Sequence, residues 1–172
     1  GWSKVAEKSL DRVDSKPDWA VEVLTPSGQS RPIKPKIILD KAFCALTKFA
    51  TTSKQNSAET VLIIAPMSGH YATLTRNTVA SLVPDCNVYV TDWKNARDVP
   101  ASAGSFNVDD FVDYLVEFIT YLGPMTHVFA ICQPAPLAAA AAARLALDNP
   151  AAMPNSLILM GGPVDPAANP SA

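Results

Sequence analysis

Short apolar runs alternate with segments of helical spacing from Thr60 onward, and this alternation limits the fold more than any other feature. The apolar runs occupy residues 61–66, 87–93, 127–132 and 156–162. The segments between them repeat apolar residues at helical intervals and occupy residues 71–83, 106–123 and 136–149. Short, continuously apolar strands are typical of a parallel sheet that is buried on both faces. The alternation therefore predicts parallel βαβ units with right-handed crossovers.

The first part of the chain has a different pattern. Strand-like runs that are bounded by Pro, Gly, Ser and Asp, as edge and hairpin strands are, occupy residues 19–24, 33–39 and 43–50. Residues 51–59 form a polar stretch and predict a loop. We therefore predict one α/β domain over residues 1–172, with N-terminal antiparallel strands and a loop in 1–58 and a parallel βαβ core in 59–172.

Composition and charge exclude several classes of function. Hydrophobic residues make up 48% and charged residues 17%, as in ordinary globular proteins. The net charge is -2 without a basic block, so no surface for neutralising phosphates is visible and nucleic acid is not an expected partner. No apolar run reaches the roughly 20 residues of a membrane-spanning helix, and residues 1–19 are too charged for a signal peptide. We expect a cytoplasmic protein.

The cysteines and the two ends carry further expectations. The three cysteines show neither CxxC spacing nor a neighbouring pair of histidines, so we expect reduced thiols and no metal. The chain begins with Gly1 rather than Met, and residues 161–172 follow a strand-like run without reaching another element. We expect a truncated chain whose open sheet exposes an apolar edge, which would favour a homo-oligomer or a partner fragment.

The stretch AICQPAP at residues 130–136 lies where a predicted strand meets a predicted helix. A nucleophile at such a junction is presented by a sharp turn with small residues two positions away on each side. Ala130 satisfies this requirement before Cys132, and Pro134 and Pro136 suit the first turn of a helix because their missing N–H groups are not needed there. A strand-end cysteine is more often a buried small hydrophobe, but this frame favours a catalytic nucleophile.

The groups that would stabilise an oxyanion come from two places. The helix that follows Cys132 stabilises negative charge through its dipole and its free N–H groups, which predicts the backbone N–H of Gln133 as one donor. The second donor in such folds comes from the loop after an earlier central strand, here residues 66–71. We predict the backbone N–H of Met67 or Ser68, and His70 is a further candidate for the lining of the site.

Other polar residues favour structural roles. We expect Cys44 in the core and Cys86 as an inert residue at a strand edge or in a loop. His127 begins its strand and so lies at the end opposite the site. Asp92 either lines the pocket or caps the following turn. A turn role is favoured for Asp165 over the orientation of a catalytic base.

Four motifs in order resemble the intracellular polyhydroxyalkanoate (poly-3-hydroxybutyrate) depolymerases. They occupy residues 65–79, 88–100, 132–134 (Cys-Gln-Pro) and 159–166, within a resemblance over about residues 18–170. The resemblance implies an α/β-hydrolase fold and a cysteine nucleophile that is followed in the chain by Asp and His. Carried over, Cys132 is the nucleophile, and residues 67–70 match the oxyanion-side loop. The family's Asp and His have no counterpart in these 172 residues, so we expect this chain alone to be incomplete as an enzyme.

The resemblance also implies the activity and the place of action. It implies a carboxylic ester hydrolase that cleaves ester bonds of poly(3-hydroxybutyrate) or its oligomers at storage granules in the cytoplasm, without a metal or organic cofactor. Two alternatives stay open. One is a cysteine acyltransferase similar to polyhydroxyalkanoate synthase, against which Pro134 argues because glycines are expected around the cysteine there. The other is a granule-binding fragment without catalysis.

Overall fold

The computed structural model describes residues 16–24, 27–50, 59–67, 71–165 and 167–168. Within them, the strands are β1 (Val21–Leu24), β2 (Ser30–Ile33), β3 (Lys36–Asp40), β4 (Cys44–Phe49), β5 (Glu59–Ile64), β6 (Cys86–Trp93), β7 (Thr126–Ile131) and β8 (Ser156–Met160). The helices are α1 (Arg76–Leu82), α2 (Val108–Leu122) and α3 (Ala135–Asp148). Single 3-10 turns occupy Ala72–Thr75, Ala101–Ala103 and Pro150–Ala152.

Six of these strands form one sheet in the order β3-β4-β6-β5-β7-β8. The pairs β3–β4 and β4–β6 are antiparallel, whereas β6, β5, β7 and β8 run parallel to one another. Strands β1 and β2 form a separate antiparallel hairpin. The predicted class, a mostly parallel α/β sheet with antiparallel N-terminal strands, is confirmed. Strands β3 and β4 join the sheet of the parallel strands through the pairing of β4 with β6.

Two predicted elements differ from the structure. The strand predicted over residues 33–39 is β3, which begins only at Lys36, whereas Ile33 is the last residue of β2, a strand that was not predicted. Pro35 lies between them, and proline has no N–H to donate to a strand ladder. The helix predicted over 71–83 is a 3-10 turn at Ala72–Thr75 that continues into α1. The remaining predicted strands and helices agree with the structure to within a few residues at each end.

The core lies on both faces of the large sheet. On one face, α2 and α3 pack their buried apolar side chains, such as Phe118 and Leu145, against the strands. On the other face, α1 and the β1–β2 hairpin cover the sheet, with Val79 and Trp19 buried there. The central strand β5 is thereby covered on both sides, and its Leu62 and Ile63 are fully buried. Burial on both faces explains why these strands are continuously apolar in sequence.

The start of α2 shows how local sequence determines a boundary. The Asn107 side chain accepts hydrogen bonds from the backbone N–H groups of Asp109 (2.7 Å) and Asp110 (3.2 Å). In return, the backbone N–H of Asn107 donates to the Asp110 carboxylate at 2.8 Å. This reciprocal capping box satisfies N–H groups that have no partner within the helix.

The parallel pairing aligns the carboxyl ends of the central strands. Ile64 of β5 pairs with Ala130 of β7, and Ile131 of β7 pairs with Met160 of β8. The segments that follow β5, β7 and β8 therefore emerge along one edge of the sheet. Ligands of open parallel sheets bind beyond this edge.

Candidate active site

Cys132 occupies a strained turn between β7 and α3. Its φ angle is +65°, and it is one of two described non-glycine residues with a positive φ. The turn is held at both sides, because the Cys132 N–H donates to the Met160 carbonyl (2.7 Å) and the Ala135 N–H donates to the Cys132 carbonyl (3.1 Å). The Cys132 side chain is exposed. Left-handed backbone at a residue other than glycine is strained, and such strain is concentrated at functional sites.

The strand-to-helix turn around Cys132, residues 130–134, is called the elbow here, and small residues let it fit its surroundings. Ala130 and Pro134, two positions before and after Cys132, are both buried. Gly162, which follows β8, lies against the elbow so closely that an added Cβ would be 2.3 Å from the Ala135 Cβ and 2.4 Å from the Cys132 carbonyl oxygen. Only glycine fits at this position without displacing the turn. Sequence reasoning missed this role, although the Gly-Gly pair after a strand was a visible signal.

The two prolines occupy different positions around the start of α3. The prediction placed both in the first turn, but Pro134 is the N-cap, with φ −76° and ψ −2°. Its carbonyl already accepts from the Ala138 N–H at 2.8 Å, so the helical hydrogen-bond ladder begins there. Pro136 lies within the first turn as predicted. Neither proline removes an N–H that the helix needs.

The loop after β5 meets the elbow directly. The Met67 backbone N–H donates a hydrogen bond to the Gln133 side-chain oxygen Oε1 at 3.2 Å. This contact brings together the two segments from which the oxyanion donors were predicted. Of the predicted site residues, Cys132, Gln133 and Met67 are thus placed at one edge of the sheet, whereas Ser68 and His70 lie outside the described residues.

The root of this loop is anchored by two side chains of β6. The Ala65 N–H donates to Thr91 Oγ1 at 3.0 Å, and the Trp93 indole N–H donates to the Ala65 carbonyl at 2.9 Å. All three residues are buried, and the Trp93 ring stacks on Phe111 of α2 with centroids 4.2 Å apart. Ala65 is thus held through both its N–H and its carbonyl group. No pattern in the sequence predicted this anchoring role for Thr91 and Trp93.

The fold was compared with known proteins, families and solved structures. No protein-family model matches the sequence, and no curated protein matches it. Solved structures do match. An alpha/beta hydrolase enzyme from the metagenome of Lake Arreo, Spain, solved as a serine-to-alanine mutant, is 13% identical with a TM-score of 0.57, over 96% of this chain and 51% of that chain. The chain has the α/β-hydrolase fold.

Two further solved structures share this fold. The Francisella virulence factor BioJ is 16% identical with a TM-score of 0.55, over 95% of this chain and 50% of that chain. A structure from a study of two fungal esterases of Rhizomucor miehei is 17% identical with a TM-score of 0.50, over 91% and 51% of the two chains. The chain spans about half the length of these three proteins. None of the three is described as acting on a polyhydroxyalkanoate.

The α/β-hydrolase sheet places the three thiols in different environments. Cys132 is exposed, Cys86 is half-buried and Cys44 is fully buried. Burial, followed by the nearby Asp92 carboxylate, raises the pKa of the Cys44 thiol well above its ordinary value. Burial, followed by the Asp85 carboxylate, also raises the pKa of Cys86. Cys44 is thus a core residue, as predicted, and Cys132 is the accessible thiol at the carboxyl edge of the sheet.

Asp92 lies in the wall of a cavity beside the end of β6. The cavity has a volume of about 420 Å³, and Tyr71, Trp93 and Asn95 also line it. One Asp92 oxygen, Oδ2, pairs with Lys16, while the buried Oδ1 has no hydrogen-bond partner among the described residues. The described residues that line this cavity do not include Cys132, Gln133 or Met67, so a role of Asp92 in the pocket of the proposed site stays a prediction.

The other two polar candidates have structural roles. His127 lies at the amino end of β7, away from the elbow, and its Nδ1 is 2.7 Å from Ser156 Oγ at the start of β8. Asp165 Oδ1 accepts hydrogen bonds from the backbone N–H groups of Ala167 (3.1 Å) and Ala168 (3.3 Å). Asp165 therefore closes a turn, as its sequence context predicted.

Neither a candidate metal site nor a membrane-spanning helix occurs in the part of the chain that the structure describes. It contains no group of three or more His, Cys, Asp or Glu side chains that could hold a metal ion. None of its helices has the length and apolar character needed to cross a membrane.

Proposed function

We propose that this chain supplies the nucleophile and the oxyanion-binding groups of an esterase that cleaves poly(3-hydroxybutyrate) or its oligomers. The observation that carries the proposal is the backbone of Cys132, an exposed cysteine with φ +65° between a central parallel strand and a helix. A thiol that only filled space would need neither the strain nor the exposure. A nucleophile needs both, because the turn projects its side chain beyond the sheet.

The chemistry begins with attack on an ester. The Cys132 thiolate adds to the carbonyl carbon, and the carbonyl electrons move onto oxygen to form an oxyanion. Collapse of this intermediate breaks the C–O bond, and the departing alkoxide takes a proton to become the hydroxyl end of the released fragment. The acyl group stays on sulfur as a thioester. Water then adds to the thioester, and cleavage of the C–S bond releases the acid and regenerates the thiol.

Two backbone donors would stabilise the oxyanion. Gln133 directly follows the nucleophile at the entry of α3, where the helix dipole favours negative charge. Met67 lies within hydrogen-bond distance of the Gln133 side chain, so its N–H group is next to the elbow. Ser68 and His70 remain predicted members of the same loop. Backbone donors that are fixed before the reaction are worth several kcal/mol in acyl-transfer enzymes, about 3–4 for a single donor.

The substrate class rests on the motifs and on the fold. The segments at residues 65–79, 88–100, 132–134 and 159–166 resemble the intracellular polyhydroxyalkanoate depolymerases, and an esterase is among the solved proteins with a similar fold. We propose that the base is a His and its orienting acid an Asp, both elsewhere in the whole protein, since this chain spans about half the length of its structural relatives. Action at storage granules in the cytoplasm, without a cofactor, is part of the same proposal.

The test uses the whole protein with amorphous poly(3-hydroxybutyrate) granules. Release of soluble hydroxybutyrate that disappears in Cys132→Ala supports the proposal, and the trapped acyl group should map to Cys132 by peptide mass spectrometry. Polymer growth from hydroxyacyl-CoA, without release, would instead identify a synthase-like acyltransferase. Granule binding without either reaction, and unaffected by Cys132→Ala, would leave only the interpretation that the protein binds granules without catalysis.

A further inference from the structure

The side chain of Gln133 is hydrogen-bonded to a backbone N–H group that the proposed reaction needs. Its Oε1 accepts from the Met67 N–H at 3.2 Å, and this N–H is the second proposed oxyanion donor. An amide oxygen is the same kind of acceptor as the carbonyl oxygen of an ester. In the protein without substrate, the proposed oxyanion donor, the Met67 N–H, is therefore hydrogen-bonded to the amide oxygen of Gln133.

The Met67 loop does not depend on Gln133 for its position. Ala65, two residues earlier, is already held at its N–H by Thr91 and at its carbonyl by Trp93, through hydrogen bonds of 3.0 and 2.9 Å. Those bonds are buried, whereas the contact between Met67 and Gln133 is exposed. Removal of the Gln133 amide should therefore free the Met67 N–H and leave the root of the loop in place.

The charge on the intermediate explains how the internal acceptor is displaced. Hydrogen bonds to an ionised acceptor are roughly twice as strong as those between neutral groups. An oxyanion on the substrate thus outcompetes the neutral Gln133 oxygen for the Met67 N–H, whereas the uncharged ester carbonyl competes on nearly equal terms. Displacement of Gln133 is then part of the barrier to acylation.

We propose that the Gln133 side chain is a stand-in for substrate in the oxyanion site and must leave the Met67 N–H before Cys132 is acylated. This inference rests on the proposed function. It assigns Gln133 two separate roles: its backbone N–H stabilises the oxyanion, and its side chain competes with the oxyanion for the Met67 N–H. A side chain that only positioned the loop would have the opposite effect on the rate when it is removed.

The experiment compares Gln133→Met and Gln133→Asn with the unchanged chain. Methionine has a similar length but no amide, and asparagine keeps the amide but is one methylene too short to reach Met67. Both variants therefore lose the contact, and only methionine also removes the polar group. Both keep the backbone N–H. Gln29→Met, the same change between β1 and β2 and outside the sheet that carries the site, is the matched control.

Two reactions of Cys132 are then measured. Acylation by p-nitrophenyl butyrate passes through an oxyanion, whereas alkylation by iodoacetamide does not, so only acylation responds to the oxyanion donors. Both Gln133 variants should raise the ratio of the acylation to the alkylation rate constant by about two- to tenfold, the range of one neutral hydrogen bond. Gln29→Met should leave this ratio unchanged.

Amide hydrogen exchange at Met67 reports the contact without any reaction. Exchange should be faster in both Gln133 variants, and an equal or slower rate would overturn the inference whatever the acylation result. An unchanged or lower acylation-to-alkylation ratio, with acylation still located on Cys132, would also overturn it and leave the proposed function standing. Acylation that persists at full rate in Cys132→Ala would instead refute the proposed function, and the stand-in role with it.

Discussion

Backbone strain at Cys132 predicts an unusual order of stability for two substitutions. Glycine normally destabilises a position relative to alanine, because its unfolded chain has more conformational freedom to lose. Cys132 has φ +65°, a region that glycine enters without strain and alanine does not. We therefore expect Cys132→Gly to be more stable than Cys132→Ala. The loss of the thiol is common to both variants and cancels in the comparison.

The magnitude follows from two opposing terms. Left-handed backbone costs an L-residue about 1–2 kcal/mol. The extra freedom of unfolded glycine costs about 0.4–1 kcal/mol. The difference favours the glycine variant by about 1 kcal/mol in the free energy of unfolding. Because the Cys132 side chain is exposed, the loss of a β-carbon contributes little packing energy.

Urea denaturation measures this difference through the midpoint and slope of each transition. The matched control is Ala140→Gly, at an exposed position inside α3, which should be destabilised by about 1 kcal/mol as in any helix interior. Glycine in place of alanine should therefore lower the free energy of unfolding at position 140 and raise it at position 132. If Cys132→Ala proved as stable as Cys132→Gly, or more so, the claim that the nucleophile is held under strain would be wrong.

Two further predictions concern the elbow and the thiols. Gly162→Ala should lower the free energy of unfolding by about 1–3 kcal/mol or more, because its Cβ would lie 2.4 Å from the Cys132 carbonyl oxygen; a change below 0.5 kcal/mol in urea denaturation would show that the elbow can move. Iodoacetamide at neutral pH should label Cys132 first. Since burial raises the pKa of both other thiols, labelling of Cys86 should increase as the pH rises and Cys44 should react only after unfolding. Peptide mapping that found Cys44 labelled in the folded protein would contradict this order.

Much of the architecture could be predicted because it depends on local patterns. Continuous apolar runs identified the parallel strands, and the strand–cysteine–proline sequence identified the elbow. The errors have equally local causes: Pro35 separates the end of β2 from β3 within the predicted run 33–39, and Pro134 caps α3 instead of lying in its first turn. The antiparallel N-terminal strands were predicted, but not that β4 pairs with β6, since strand neighbours are not encoded in periodicity.

Local patterns in the sequence were enough to predict the α/β class, the parallel strands and the junction at which Cys132 lies, because burial on two faces and the chemistry of turns constrain neighbouring residues directly. Which distant groups meet at that junction depends on the tertiary structure. Gly162 packs against the elbow, and Thr91 and Trp93 form hydrogen bonds with the start of the loop after β5. The Gln133 side chain accepts a hydrogen bond from the Met67 N–H. Each of these contacts joins residues 26 or more positions apart. Their meeting depends on strand order and register, which are set by packing of the whole sheet rather than by any single segment.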